Sequence, residues 1–504
     1  MSSARSPWPH ALCLSVLCSA VAAQESPGAA GNEQGRSLAI TPSLDASLSV
    51  GNGGATKSGT DVVAQLRPGI NINSRSGRVR GVLNYSLDAI GHSRSSEPTS
   101  LQNSLNASVS AEAVPNWVYV DATANISRRA LSAYGQLLPD GSVQTSGNVN
   151  EVGSVSLSPY AKGQLGGWAQ YEARLTAAAT NTRHSIVGDS SNSGASLSLN
   201  SPTAMALFGW GLQATHQRSA FRAGRATVSD RAIGSLSFRP EPDLNLTLRG
   251  GKETSDVTTF DKRSYGNWGL GATWAPSNRT AVSLDTDHRY FGQSFRVSVD
   301  YRTALSSLRY TSTRDASTNS NPNGIGIPQT WYQRISALFA SEPDPVLRDL
   351  KVLAFLQANN LDPNGITAAG FVTSAVTLQR HDDLTWSYAG KRASLSLGLS
   401  RGETSQLDAI TTAQGDGTVR QFSYTLTAAY RLTPTAGINL TGSRLVTLGS
   451  GTRQGGSLKS LQVGLTDQLG RRLTGSLTAR YSSFGGATGA YRDASVTASA
   501  GLRF

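Results

Sequence analysis

The chain has 504 residues, 15% of them charged, with 52 glycines and a formal net charge of +12. That charge fraction is below the usual quarter of a soluble globular chain, and the basic residues are mostly arginines scattered singly, without the basic cluster or aromatic-basic motif of a nucleic-acid surface. Both cysteines, Cys13 and Cys18, lie near the N-terminus, so the remainder has no thiolate metal site, disulfide or cysteine nucleophile.

Residues 1–23 read as a signal peptide. Arg5 supplies a basic start, ALCLSVLCSAVAA follows from Ala11, and Val21-Ala22-Ala23 gives small residues before Gln24. The apolar run is too short for a membrane-spanning helix. Residues 24–37 are then a short periplasmic segment.

From Leu38 onward the sequence alternates with period two. Leu38, Ile40, Leu44, Ala46, Leu48 and Val50 share one parity, against Thr41, Ser43, Asp45, Ser47 and Ser49. Val62, Ala64, Leu66, Ile70 and Ile72 follow, and after the turn SRSG come Val79, Leu83, Tyr85, Leu87 and Ala89. LNLTLRG, WGLGATW, FSYTLTAAYRL and LTGSLTARY continue the pattern. A period of two is a strand's period, with one greasy face and one polar face. Many of these strands run to about ten residues or more, the length a tilted strand needs to cross a bilayer.

Connections alternate in length too. Short turns fall near 74–78, 114–116, 162–165, 240–242, 276–278, 389–391, 433–436 and 469–471. Longer Gly/Ser-rich loops fall near 51–61, 92–100, 129–150, 177–193, 254–265, 403–418, 447–457 and 485–490. That is the habit of a large antiparallel transmembrane β-barrel over 38–504, with about 22 strands (18–24) and both termini on the short-turn side.

One stretch departs from the pattern. Across 318–370, DPVLRDLKVLAFLQANNLDPNG reads as a helix capped at Asp344 and ended by Asp362–Gly365. Its surface is apolar nearly all round, which implies burial as a plug or an extracellular cap. The chain then closes on DASVTASAGLRF, where Val496, Ala498, Ala500, Leu502 and Phe504 share a parity. A last strand clamped between neighbours explains an apolar end, and this pattern resembles an outer-membrane assembly signal.

Three longer motifs add a resemblance: VPNWVYVDATANISRRALSAYG, HRYFGQSFRVSVDYRT, and EPDPVLRDLKVLAFLQANNL followed by FVTSAVTLQR. In these the chain resembles the outer-membrane β-barrel proteins associated with the PEP-CTERM/exosortase system of exopolysaccharide-producing Gram-negative bacteria. The resemblance covers most of the chain after the signal segment. It implies residence in the outer membrane and a link to surface polysaccharide or protein sorting, and it brings no catalytic residues.

On the polar parity lie Arg80, Asp88, Asp121, Glu172, Arg174, Arg249, Asp285, Asp287, Arg289, Arg296, Asp300, Arg302 and Arg480. Arg and Asp on neighbouring strands form a ladder bracing the inner wall, or a positive lumen that concentrates anionic polysaccharide. In DTDHRYFG, His288 falls opposite to Asp285 and Asp287, so no dyad is formed within the strand. The aromatics Trp117, Tyr119, Trp168, Trp210, Trp268, Trp274, Tyr290, Trp386, Tyr388 and Tyr481 read as interfacial girdles, with Trp117 and Tyr119 as lumen-facing sugar platforms the competing use. No catalytic site, cofactor or metal is expected. The partners expected are outer-membrane lipid, the assembly machinery, and anionic polysaccharide or export and sorting components. The leading reading is a non-enzymatic conduit or docking platform; a pore-less structural anchor and an outer-membrane hydrolase are its rivals.

Overall fold

In the computed structural model, the residues described are 38–52, 60–93, 99–139, 142, 146–201, 207–317, 371–408, 418–451 and 453–504. The signal segment, residues 24–37 and the helical insert at 318–370 lie outside them.

Twenty-two strands make up the described chain. The first quarter holds β1 (Leu38–Asn52), β2 (Thr60–Arg75), β3 (Val79–His92), β4 (Ser100–Val114) and β5 (Val118–Ala130). Next come β6 (Val149–Leu165), β7 (Ala169–Thr182), β8 (Ser190–Asn200), β9 (Phe208–Phe221), β10 (Thr227–Glu241) and β11 (Leu244–Ser255). Then follow β12 (Arg263–Ser277), β13 (Thr280–Arg289), β14 (Gly292–Arg302), β15 (Ser306–Ser317), β16 (Thr377–Ala389) and β17 (Ala393–Gln406). The last are β18 (Val419–Arg431), β19 (Ala436–Thr447), β20 (Gly456–Gln468), β21 (Leu473–Gly486) and β22 (Gly489–Arg503).

Each strand pairs antiparallel with its sequence neighbours, and β1 pairs with β22 from Ser43–Arg503 to Asn52–Ala494. The sheet is therefore a closed barrel, and no strand keeps an unpaired edge. No helix of the described residues is long and apolar enough to cross a membrane; the strands, of 10 to 17 residues, do the crossing.

Registers that shift only beside the turns after β4, β10 and β12 carry one parity round the wall as the outer face. On it Leu175, Leu236, Leu248 and Leu477 are 60%, 64%, 57% and 52% exposed. A bare apolar surface on this scale is untenable in water and is what hydrocarbon covers. Near the short-turn end aromatics join it: Trp168 stacks on Trp210 at 6.1 Å and Phe208 on Phe238 at 5.2 Å. These rings form an interfacial girdle of the kind that anchors barrels.

Turns at the end shared by Leu38 and Arg503 are mostly two to four residues, and β8–β9 is the longest, at 201–207. The opposite end carries the longer loops, with two exceptions: Tyr290–Phe291 joins β13 to β14, and Ala487–Thr488 joins β21 to β22. The second corrects the expectation of a long loop at 485–490. Gly489, at φ +132°, lets that strand restart at once in a conformation closed to other residues.

Candidate functional site

The inner wall and the long-loop mouth hold the groups from which a function can be built. Every charged residue singled out on the polar parity falls on the inner face by register, from Arg80 opposite Ser110 to Arg480 opposite Ser495. Their environments differ sharply.

From β10 to β15 they interlock. Arg249 reaches Asp285 at 2.6 Å and Asp287 at 3.2 Å, and Arg231 reaches Asp287 at 3.5 Å. Arg289 bridges Glu253 at 2.6 Å and Asp315 at 2.7 Å, while Asn267 donates to Glu253 at 3.2 Å. Glu253 has no solvent exposure at all. Gly269 and Gly271 of β12 make this possible: a β-carbon at 269 would collide with the Asp287 carboxylate, and one at 271 would sit 2.8 Å from Asp285. Side chains from β11 and β13 thus meet over a bare strand. Where polar groups are this enclosed, pairing offsets their desolvation.

Elsewhere the wall is a looser mixture. Arg67 pairs with Asp88, Arg309 with Asp300, and Arg174 with Asp121 at 2.9 Å and Glu172 at 3.0 Å. Tyr119 stacks on Tyr160 at 5.2 Å, with Lys162 4.4 Å over the Tyr119 ring and the Arg174 guanidinium 3.9 Å over Tyr160. This makes an aromatic platform flanked by cations on the inner face. Arg80, Arg296 and Arg302 form no ion pair among the described residues.

The mouth is crossed by chain. After β5 the segment 131–139 turns inward and docks on the inner wall beyond the β1–β22 seam: Leu137 packs with Leu458, Phe484 and Tyr491, inner-face residues of β20, β21 and β22. The Tyr491 hydroxyl donates to the Leu137 carbonyl at 2.9 Å, and Phe371 packs on the same cluster. From there Phe371–Val376 runs along the mouth into β16. Its Val372 N–H donates to the Ala130 carbonyl at 3.1 Å, and Ser374 accepts from the Gly188 N–H at 3.2 Å. A β-carbon at Gly188 would stand 2.7 Å from Val372, and φ there is +87°, so glycine is required twice over. Beneath Val376 lies a cavity of about 190 Å³, lined by Ser219, Thr227, Arg289, Tyr290 and Asp315. Burial pushes the Tyr290 phenol above its ordinary value; Arg289 opposes this, and Glu253 and Asp315 reinforce it.

Of the residues weighed for catalysis, Asp285 and Asp287 are held by arginines, and His288 lies on the outer face, stacked 5.9 Å from Trp268. They are not brought together. Among the described residues, no cluster of three His, Cys, Asp or Glu is placed to hold a metal. Trp117 is not a lumenal platform: its indole N–H donates to the Tyr171 hydroxyl at 2.8 Å, on the outer side of the β4–β5 turn. Arg231, Glu253 and Asp315 escaped the sequence reading although they lie on the same polar parity. Phe484 and Tyr491 also escaped it, and their signal was an aromatic on the parity of Arg480 and Asp493.

No family model matches the chain, and no curated protein matches it. Among solved structures it is similar to the siderophore receptor PirA from Pseudomonas aeruginosa, at 10% identity and TM-score 0.42 over 92% of this chain and 80% of that chain. It is similar to the FrpB iron transporter from Neisseria meningitidis (F5-1 variant), at 10% identity and TM-score 0.47 over 92% and 82%. A third is a loop-deleted OmpT, an outer membrane protein of Vibrio cholerae, at 7% identity and TM-score 0.31 over 93% and 100%. No function passes from these proteins to this chain.

Proposed function

We propose that this chain is a non-enzymatic outer-membrane conduit whose outward mouth is covered by its own segments 131–139 and 371–376. The observation that carries the reading is the docking of Leu137 on Leu458, Phe484 and Tyr491, an apolar seat on the inner face of an otherwise polar wall. A purely structural anchor has no need of an apolar seat on the inner face of its rim. Arg80, Arg296 and Arg302, without an ion pair among the described residues, and the platform of Tyr119 and Tyr160 favour an anionic, sugar-rich solute. The motif resemblance supplies the context, surface polysaccharide export of the PEP-CTERM kind, with a docking platform as the second role.

Planar-bilayer conductance tests this. The wild type should show low conductance and the Tyr491→Ala variant a several-fold larger one, since the variant loses the seat of the cover. Oligomers of polygalacturonate should then reduce the current, while neutral dextran of equal length should not. Silence in both proteins would leave the docking role and end the conduit reading.

A further inference from the structure

The outer face of β15 to β20 is apolar from the short-turn end upward and then changes abruptly. One basic residue takes an outward position on each of these consecutive strands: Arg314, Arg380, Arg401, Arg420, Arg444 and Lys459. On β16 to β18 carboxylates compensate: Arg380 meets Asp382 at 3.3 Å, and Glu403 meets Arg401 at 3.6 Å and Arg420 at 3.3 Å. Beyond β18 the compensation stops. Arg444 stands directly opposite Lys459, Lys459 opposite Ser483, and Ser483 opposite Arg492. All three cations are exposed, and among the described residues none of them has an ion pair.

Directly opposed side chains in an antiparallel sheet lie about 5 Å apart at the β-carbon, and like charges placed so are destabilising. The rung needs an anion. Its height selects which one. From Asp467 to Lys459 and from Leu502 to Arg492 the strands rise roughly 20–25 Å at an ordinary tilt, the height of a barrel's apolar band. Immediately below it lie Leu461, Val463 and Tyr481, exposed on the outer face. A ligand seated here therefore has its charge at the headgroup level and hydrocarbon underneath.

We propose that Arg444, Lys459, Ser483 and Arg492 bind the phosphate of an anionic membrane lipid, whose acyl chains lie along Leu461, Val463 and Tyr481. The arginines and the lysine supply charge-assisted donors and Ser483 a hydroxyl, a donor set suited to phosphate oxygens. The site is on the outside of the wall and is independent of whether the bore conducts.

Native mass spectrometry of the full barrel in non-ionic detergent tests the site, with bisphosphorylated lipid A as probe and its dephosphorylated form as control. The wild type should retain the phosphorylated lipid preferentially. Lys459→Gln should weaken retention about ten-fold, the loss of one charge-assisted contact, and the triple change R444Q/K459Q/R492Q should abolish the preference. Arg218→Gln, on the outer face of β9, should behave as wild type. Heat-modifiable gel mobility checks that each variant is folded, and should the triple variant misfold, Lys459→Gln decides. Equal retention of the dephosphorylated lipid, unchanged retention by Lys459→Gln, or full displacement by millimolar inorganic phosphate would overturn the proposal.

Discussion

Arg289 holds two carboxylates from different strands, Glu253 on β11 and Asp315 on β15, and it is the last member of the interlocked group before the mouth. Replacing it with methionine would keep the stem and remove the charge, stranding Glu253 where no water reaches it. Breaking such an enclosed pair from one side costs roughly 3–5 kcal/mol, and the cost should appear as a lower urea midpoint for the barrel refolded in detergent micelles. Glu253→Gln should cost clearly less, because Arg289 keeps Asp315. Arg309 and Asp300 contribute far less, because their side chains are 35% and 27% exposed and water screens the pair.

Within the elements of the mouth, Gly188 is where the β7–β8 loop meets the segment before β16, against Val372 and Ser374. Gly188→Ala would place a methyl against Val372 and impose a left-handed backbone on alanine, a strain of about 1–3 kcal/mol. The expected result is local opening rather than unfolding: the Val372 amide, bonded to Ala130, should exchange at least about ten-fold faster with deuterium, while amides in β2 and β3 stay protected. This element was also the hardest to read in advance. Strands were legible because their period shows in any ten residues, and parity then assigned the inner charges from Arg80 to Arg480. The cover was not legible, because Tyr491 and Leu137 are 354 residues apart and no local pattern couples them. The working rule that apolar parity faces outward also fails where strands rise above the hydrocarbon: Leu445, Leu458 and Phe484 turn inward there to receive a loop. Gly269 and Gly271 showed as gaps in WGLGATW, but only the third dimension reveals what fills them.

At the scale of the molecule, the claim that lipid covers one parity is open to a direct contrast at the seam. Ala498 and Ser499 are adjacent on β22; Ala498 opposes Leu48 and faces outward, and Ser499 opposes Ser47 and faces the bore. Ala498→Arg should cost about 2–4 kcal/mol in folding into vesicles, the penalty for a cation near the middle of the hydrocarbon, whereas Ser499→Arg should be nearly neutral. Equal penalties at the two positions would mean that no bilayer distinguishes them.

The two-residue turn at Ala487–Thr488 gives the long-loop end a notch. The segment from 131 leans over that low point, where the Thr488 hydroxyl donates to the Tyr134 carbonyl at 3.5 Å. Were this segment to lift, the aperture would begin as a slot against β20–β22, off the barrel's centre line. A slit along one wall passes an unbranched thread end-on and turns back a compact body of the same mass. If the barrel is a conduit as proposed, an opening at this notch would sieve by contour rather than by size.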